Sequence, residues 1–204
     1  MNAPRKYPAW KRMMDLTLST AAAAFFLPFL PFIAIAIKID SPGPVFARCE
    51  RISRGEKIRA YKFRSMVLGA EKQKKDLEYL NDRKDGPFFK IKNDPRVTKV
   101  GRFLRASRMD EIPQIINVFK GEMAIVGPRP HEPEEVEKYP EEYKHLPYER
   151  SGITGISQIS GASSLNWMRE LELDADYAKN ISFGKDLRII LKTAAIFFTE
   201  PTGV

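Results

Sequence analysis

Apolar residues in this chain fall into one long block and several short patterned segments. Leu16 to Ile37 is an uncharged run of 22 residues closed by Asp15 and Lys38, and a helix needs about 20 residues to cross a hydrocarbon core. Pro28 and Pro31 lie inside the run, where each removes a backbone donor and crowds the preceding turn. Basic residues flank both ends, with Arg5, Lys6, Lys11 and Arg12 before and Lys38, Arg48, Arg51 and Arg54 after. Positive flanks mark the cytoplasmic side of a membrane. A helix that enters, bends at the prolines and returns satisfies both flanks; a kinked single span and a buried core helix are the alternatives. A signal peptide fits poorly, because the run is long and no small-residue cleavage site precedes Asp40-Ser41-Pro42. The expected division is a membrane segment with its basic flank over 1–40 and a second domain over 41–204.

After Ser41 the pattern is that of a soluble domain. Pro42-Gly43-Pro44 forces a turn, Val45-Phe46-Ala47 reads as a short strand, and Arg59 to Arg64 alternates as a half-exposed strand does. Glu71 to Arg83 carries Leu77 and Leu80 at helical spacing and predicts a surface helix. Phe88 to Ile91 reads as a short extended piece, and Val100 to Arg105 as a basic helix with Val100, Phe103 and Leu104 on one side. Asp110 to Phe119 predicts a helix with Asp110 as N-cap, Pro113 in the permissive first turn and Gly121 as its end. Met123 to Val126 reads as a buried strand running into Gly127-Pro128-Arg129-Pro130, and the acidic stretch Glu132 to Glu142 as a solvated helix or loop. Asp186 to Phe198 is amphipathic, with Leu187, Ile190, Leu191, Ala194 and Phe197 on one face.

Charge narrows the partners. A net charge of +8 and a pI near 9.5 call for something anionic, and nucleic acid, an anionic lipid surface or a phosphorylated substrate all qualify. The single cysteine, Cys49, excludes an internal disulfide framework. His131 and His145 have no second ligand cluster beside them, which argues against a structural zinc. No GxxxxGK[ST] loop and no GxGxxG motif occurs, so nucleotide binding of the P-loop or Rossmann kind lacks its signature.

Two constellations carry candidate chemistry. Asp110 and Glu111 open a predicted helix, where a carboxylate feels the positive end of the backbone dipole and stays ionised, suiting a nucleophile or an Mg²⁺ ligand. Ordinary helix-start chemistry accounts for the same two residues. Pro128-Arg129-Pro130 fixes a guanidinium between two prolines, and its planar fork matches phosphate oxygens; a surface arginine in a salt bridge is the plain alternative. Lys62 and Arg64 share a strand face, Asp174 sits on a helix face and Asp186 at a helix start. Trp10 suits a membrane-interface anchor.

Asn93 to Pro130 (NDPRVTKVGRFLRASRMDEIPQIINVFKGEMAIVGPRP), taken with Tyr61 to Met66 (YKFRSM), closely resembles the bacterial sugar transferase family. Lys11 to Asp15, the DSPGPVF stretch, Ser151 to Gly161 and Tyr177 to Thr193 recur in family order, so the resemblance covers nearly the whole chain. It implies a mixed α/β, membrane-associated fold: a re-entrant helix-break-helix and a small catalytic domain with interfacial amphipathic helices. Larger members carry membrane helices ahead of this core, and the resemblance makes this chain a minimal catalytic unit. The implied activity moves a sugar phosphate from a nucleotide sugar, with UDP the expected carrier, to undecaprenyl or another polyprenyl phosphate at the cytoplasmic face of a bacterial inner membrane. Asp110 matches the nucleophile, Glu111 its partner, and Mg²⁺ the cofactor they hold. Arg129, with Pro128 and Pro130, matches a substrate-binding motif. Lys62 and Asp186 match polar positions important for activity, and Arg64 and Asp174 join them in the expected substrate-binding set. Pro28, with Pro31, matches the helix break. Nucleotide sugar, polyprenyl phosphate and membrane lipid are the implied partners; nucleic acid is not, and a homodimer is left open. Leu27 stands where the family often has serine, and Gln158-Ile159-Ser160-Gly161-Ala162 lacks the arginine of a common QxNGR stretch, which leaves the sugar preference open.

Overall fold

The computed structural model describes residues 7–161 and 164–199, so Arg5, Lys6 and Ala162 lie outside the described residues, as does the side chain of Phe197. The apolar run forms α1 (Ala9–Phe26), a 3-10 turn (Leu27–Phe29) and α2 (Leu30–Asp40). Pro28 and Pro31 sit in the first turns of the 3-10 segment and of α2, the positions that need no donor from them. The prolines therefore restart the helix instead of cutting the chain. Phe25, Phe32 and Ile39 are 64%, 72% and 81% exposed, and only 6% of the most apolar window in Ala9–Asp40 is covered by protein. It is the one helix among the described residues long and apolar enough to cross a membrane.

Both ends of this segment are tied to the same body. Near its start, Lys11, Asp15 and Ser19 turn inward, and Arg12 donates to the carbonyls of Val118 and Phe119 at 2.7 and 2.9 Å. At its end, Ile37 packs with Phe63 and Leu104, and Asp40 Oδ2 accepts the N–H of Val100 at 2.8 Å. Lys11 and Arg12, read from sequence as flanking charges, are thus spent on the fold.

The domain is mixed α/β. β1 (Phe46–Ser53) and β2 (Glu56–Phe63) pair antiparallel from Phe46↔Phe63 to Ser53↔Glu56. Arg54 and Gly55 turn the hairpin with φ of 59° and 76°, the pair of positive values a type I′ turn requires. β1 is therefore far longer than the Val45–Ala47 strand expected. β3 (Ala124–Val126) runs parallel to β4 (Gly152–Thr154). These backbones approach so closely that a Cβ on Gly127 would lie 2.5 Å from the carbonyl of Arg150; only glycine fits there. The remaining helices are α3 (Lys99–Ala106), α4 (Ile115–Lys120), α5 (Pro133–Val136), α6 (Ile156–Ile159), α7 (Trp167–Lys179) and α8 (Phe183–Thr199).

Four local expectations are corrected. The helix expected over Glu71 to Arg83 is two short 3-10 pieces, Ala70–Gln73 and Lys75–Leu80; its sparse leucines find no groove, and Leu80 is 37% exposed. Phe88 to Ile91 forms no strand, because Phe88 is drawn into the interior with its ring 4.7 Å from that of His131. In α8 only part of the expected apolar face points outward: Leu187 and Leu191 are 44% and 62% exposed, while Ile190 packs against the core. The buried stripe is centred on Asp186, Ile189 and Ile196. In α3, likewise, Leu104 is buried while Phe103 is 65% exposed.

Candidate active site

Asp110 and Glu111 lie in a 3-10 turn, Met109–Gln114, packed against β2. Asp110 is not the N-cap of an α-helix, contrary to the expectation; α4 begins at Ile115. The chain enters the turn through Arg108 in the left-handed region, φ 53°. Three-fold winding stacks residues three apart, so Asp110 and Pro113 face the interior together, and both are buried.

The two carboxyls differ sharply. Asp110 is 8% exposed and forms no ion pair within 4.0 Å among the described residues. Burial, with the like charge of Glu111, pushes its pKa up to about 6, although Lys62 and Arg105 pull the other way. Its pKa is thus raised and not lowered as a helix dipole would have it, yet the acid is still mostly ionised at neutral pH. Glu111 accepts from Lys62 Nζ on β2 at 2.6 Å. Burial works to raise its pKa, but Lys62, Arg129 and Arg108 outweigh it and hold it at about 2. Between those two values the pair holds a single proton, and burial places it on Asp110.

Arg129 follows β3. The segment is pinned by backbone: Gly127 N–H donates to the carbonyl of Thr154, and Gly152 N–H to that of Pro128, both at 2.9 Å. Pro128 is buried, Pro130 half-buried and Arg129 exposed. The guanidinium of Arg129 forms no ion pair within 4.0 Å among the described residues, yet its charge lowers the pKa of Glu111. The structure thus brings Lys62, Asp110, Glu111 and Arg129 into one electrostatic group. Asp174, buried on α7, reaches the motif from behind, its Oδ2 accepting the backbone N–H of Arg129 at 2.8 Å.

Two predicted residues lie elsewhere. Arg64 is buried, with its guanidinium on the carbonyls of Ile37, Ser41 and Pro42; it fastens the end of α2 to the hairpin. Asp186 is fully buried in a pair with Lys11 and accepts from Tyr177 at 2.6 Å. Neither side chain is free to meet a substrate.

Other residues escaped sequence reading. Arg105 and Arg108 add positive charge beside the carboxyl pair, and the arginine spacing just ahead of Asp110-Glu111 was the signal available. His131 sits behind Arg129, buried between Phe88 and Tyr139; burial, then the arginines nearby, hold its pKa well below the usual value. Among the described residues no group of three His, Cys, Asp or Glu is placed to hold a metal. Mg²⁺ needs less: a few protein oxygens, completed by phosphate and water. Asp110 and Glu111 meet that requirement, one of them without a cation at its carboxylate.

Residues 6–200 match the family described as bacterial sugar transferase. The chain is 36% identical to an undecaprenyl-phosphate galactose phosphotransferase of Salmonella typhimurium, covering 91% of this chain and 40% of that protein. A UDP-glucose:undecaprenyl-phosphate glucose-1-phosphate transferase of Caulobacter vibrioides is 36% identical over 93% of this chain and 70% of its own length. One of the same description from Escherichia coli is 40% identical, over 90% and 39%. The chain spans about 40% of the length of several curated relatives that it matches. With 195 of its residues inside the family match, the chain belongs to the bacterial sugar transferase family.

Proposed function

We propose that this chain is a phosphoglycosyl transferase, moving a sugar phosphate from a UDP-sugar to polyprenyl phosphate. The observation that carries the reading is the asymmetric carboxyl pair: a buried, unpaired Asp110 beside a Glu111 held ionised by Lys62. A carboxylate without an ion-pair partner keeps lone pairs for an incoming electrophile. Asp110 attacks the phosphorus bearing the sugar; an oxygen–phosphorus bond forms, the phosphoanhydride bond breaks, and UMP leaves with the electron pair. An oxygen of polyprenyl phosphate then attacks the same phosphorus and expels the Asp110 carboxylate, giving the polyprenyl diphosphate sugar. Arg129, Lys62, Arg105 and Arg108 surround the pair with positive charge, which suits the diphosphate of the donor. Asp110 and Glu111 would hold Mg²⁺, which when bound neutralises phosphate charge.

The same reading places the protein on the cytoplasmic face of a bacterial inner membrane, its apolar helix re-entering one leaflet. Support comes from the attachment of both ends of the Ala9–Asp40 segment to one domain. Further support comes from the outward apolar faces of α1, α2 and α8. Both substrates fit that location, one a lipid and the other a cytosolic nucleotide. A nucleotide-release assay across a panel of UDP-sugars, with polyprenyl phosphate and Mg²⁺, tests the proposal. At least one donor should give UMP and a lipid-linked sugar; folded protein that releases none with any donor would refute it.

A further inference from the structure

The stretch Gly127-Pro128-Arg129-Pro130 offers only two backbone donors, since proline has none. Gly127 N–H goes to the carbonyl of Thr154, and Ile52 N–H reaches the carbonyl of His131 at 3.0 Å just beyond. Those ties, and that from Gly152 to Pro128, run backbone to backbone. The fourth differs: Arg129 N–H goes to a side chain, Asp174 Oδ2, at 2.8 Å. We propose that Asp174 is a positioning residue, which by holding the amide of Arg129 fixes where that guanidinium meets the donor diphosphate. The inference rests on the substrate-binding reading of Arg129.

Three further observations favour a functional over a structural reason for the acid. Asp174 is 2% exposed, and its other oxygen, Oδ1, completes no hydrogen bond of good geometry, although the hydroxyl and N–H of Ser157 lie close enough to favour its charge. A buried carboxyl with one good hydrogen bond is a poor source of stability, and burial pushes its pKa up to about 6 even though the Arg129 N–H and Ser157 pull it down. Second, Asp174 shares a small void of about 10 Å³ with Pro128, Arg129, His131 and Tyr139, so apolar packing does not require an acid there. Third, the arginine it serves is exposed and forms no ion pair within 4.0 Å among the described residues. A side chain that long ordinarily loses much freedom on binding, and a fixed backbone at its root reduces that loss.

The test compares donor KM and kcat for Asp174→Ala, Asp174→Asn, Asp174→Glu, Arg129→Ala and the Asp174→Ala/Arg129→Ala double variant, with thermal melting of each. Loss of the acceptor in Asp174→Ala should raise donor KM about 10-fold with a smaller change in kcat. Asp174→Asn keeps an acceptor and should restore KM to within about 2-fold. Asp174→Glu keeps the charge but displaces the acceptor, and should resemble the alanine variant; it serves if the alanine variant does not fold. In the Arg129→Ala background Asp174→Ala should add nothing. Parent-like KM in Asp174→Ala and Asp174→Glu, beside an impaired Arg129→Ala, would overturn the positioning role and leave the reading of Arg129 intact. Multiplying effects in the double variant would overturn it too. An unchanged Arg129→Ala would remove the reading itself, and this inference with it.

Discussion

Two groups of charged residues in this molecule are finished to different degrees. At the root of α1, Asp186 accepts from Lys11 and from Tyr177, and Asp15 accepts from Tyr7 at 2.5 Å and from Ile125 N–H at 2.9 Å. All four carboxylate oxygens have a donor, and Arg150 stacks over the Tyr7 ring at 3.8 Å. In the Asp110–Glu111 group, Glu111 has Lys62 while Asp110 has no ion-pair partner. The carboxylates of the first cluster have nothing left to offer a ligand, although Nε and Nη1 of Arg150 beside them find no acceptor; the cluster clamps the apolar segment to the domain. The unsaturated one retains an unspent carboxyl and surplus positive charge at the position where a phosphorylated substrate would complete it. Burial separates the two groups as well: Lys11, Asp15 and Asp186 are at most 1% exposed, whereas Asp110 is 8% exposed and Glu111 and Lys62 are half-buried.

The contrast breaks most easily through Asp110. Asp110→Asn is nearly isosteric and removes a charge with no partner, so turnover should fall at least about 1,000-fold with melting unchanged or raised. Chelation by EDTA should silence the parent as fully, with Mg²⁺ restoring activity; full activity after chelation would take the metal out of the account. Asp186→Asn should behave in the opposite sense. Breaking a buried pair costs about 3–5 kcal/mol, visible as a lower melting temperature, and a Lys11→Met/Asp186→Leu exchange should recover much of it. An Asp186→Asn variant as stable as the parent would erase the distinction between clamp and site.

Smaller effects sharpen it. Arg129→Ala loses a charge-assisted phosphate contact worth about 1.5–3 kcal/mol, a drop of about 10- to 150-fold in kcat/KM. The pH profile should show an acid limb near 6, with kcat/KM falling about 10-fold per unit below it as Asp110 takes up its proton. The linked stability runs the other way. A carboxyl with a raised folded pKa contributes fully below its ordinary value of 3.8 and loses that contribution as pH rises through about 6. Asp110→Asn should therefore gain on the parent in melting temperature as pH is raised from 4 to 8.

Much of this was legible in the sequence. The proline restart in the apolar run, the helix at Val100 to Arg105, the stop at Gly121 and the strand leading into Arg129 all follow from local chemistry. What escaped depended on partners far along the chain. Periodicity found the apolar stripe of α8 but not which part of it faces inward; the pairing of Asp186 with Lys11, 175 positions away, draws that side of the helix into the domain. Arg64 read as a strand-face cation, but three carbonyls at the end of α2 claim its guanidinium. Asp110 read as a cap because composition cannot distinguish a 3-10 turn from an α start. Tertiary packing decided each of these positions.

Intact-protein mass spectrometry after mixing with UDP-sugar and Mg²⁺, in the absence of polyprenyl phosphate, tests the central claim most directly. The account predicts one phosphosugar adduct per chain, mapped to Asp110, with an equal amount of UMP released and the adduct discharged when polyprenyl phosphate is added. Turnover with both substrates present, but neither adduct nor UMP without the acceptor, would mean direct transfer and would contradict the role assigned to Asp110.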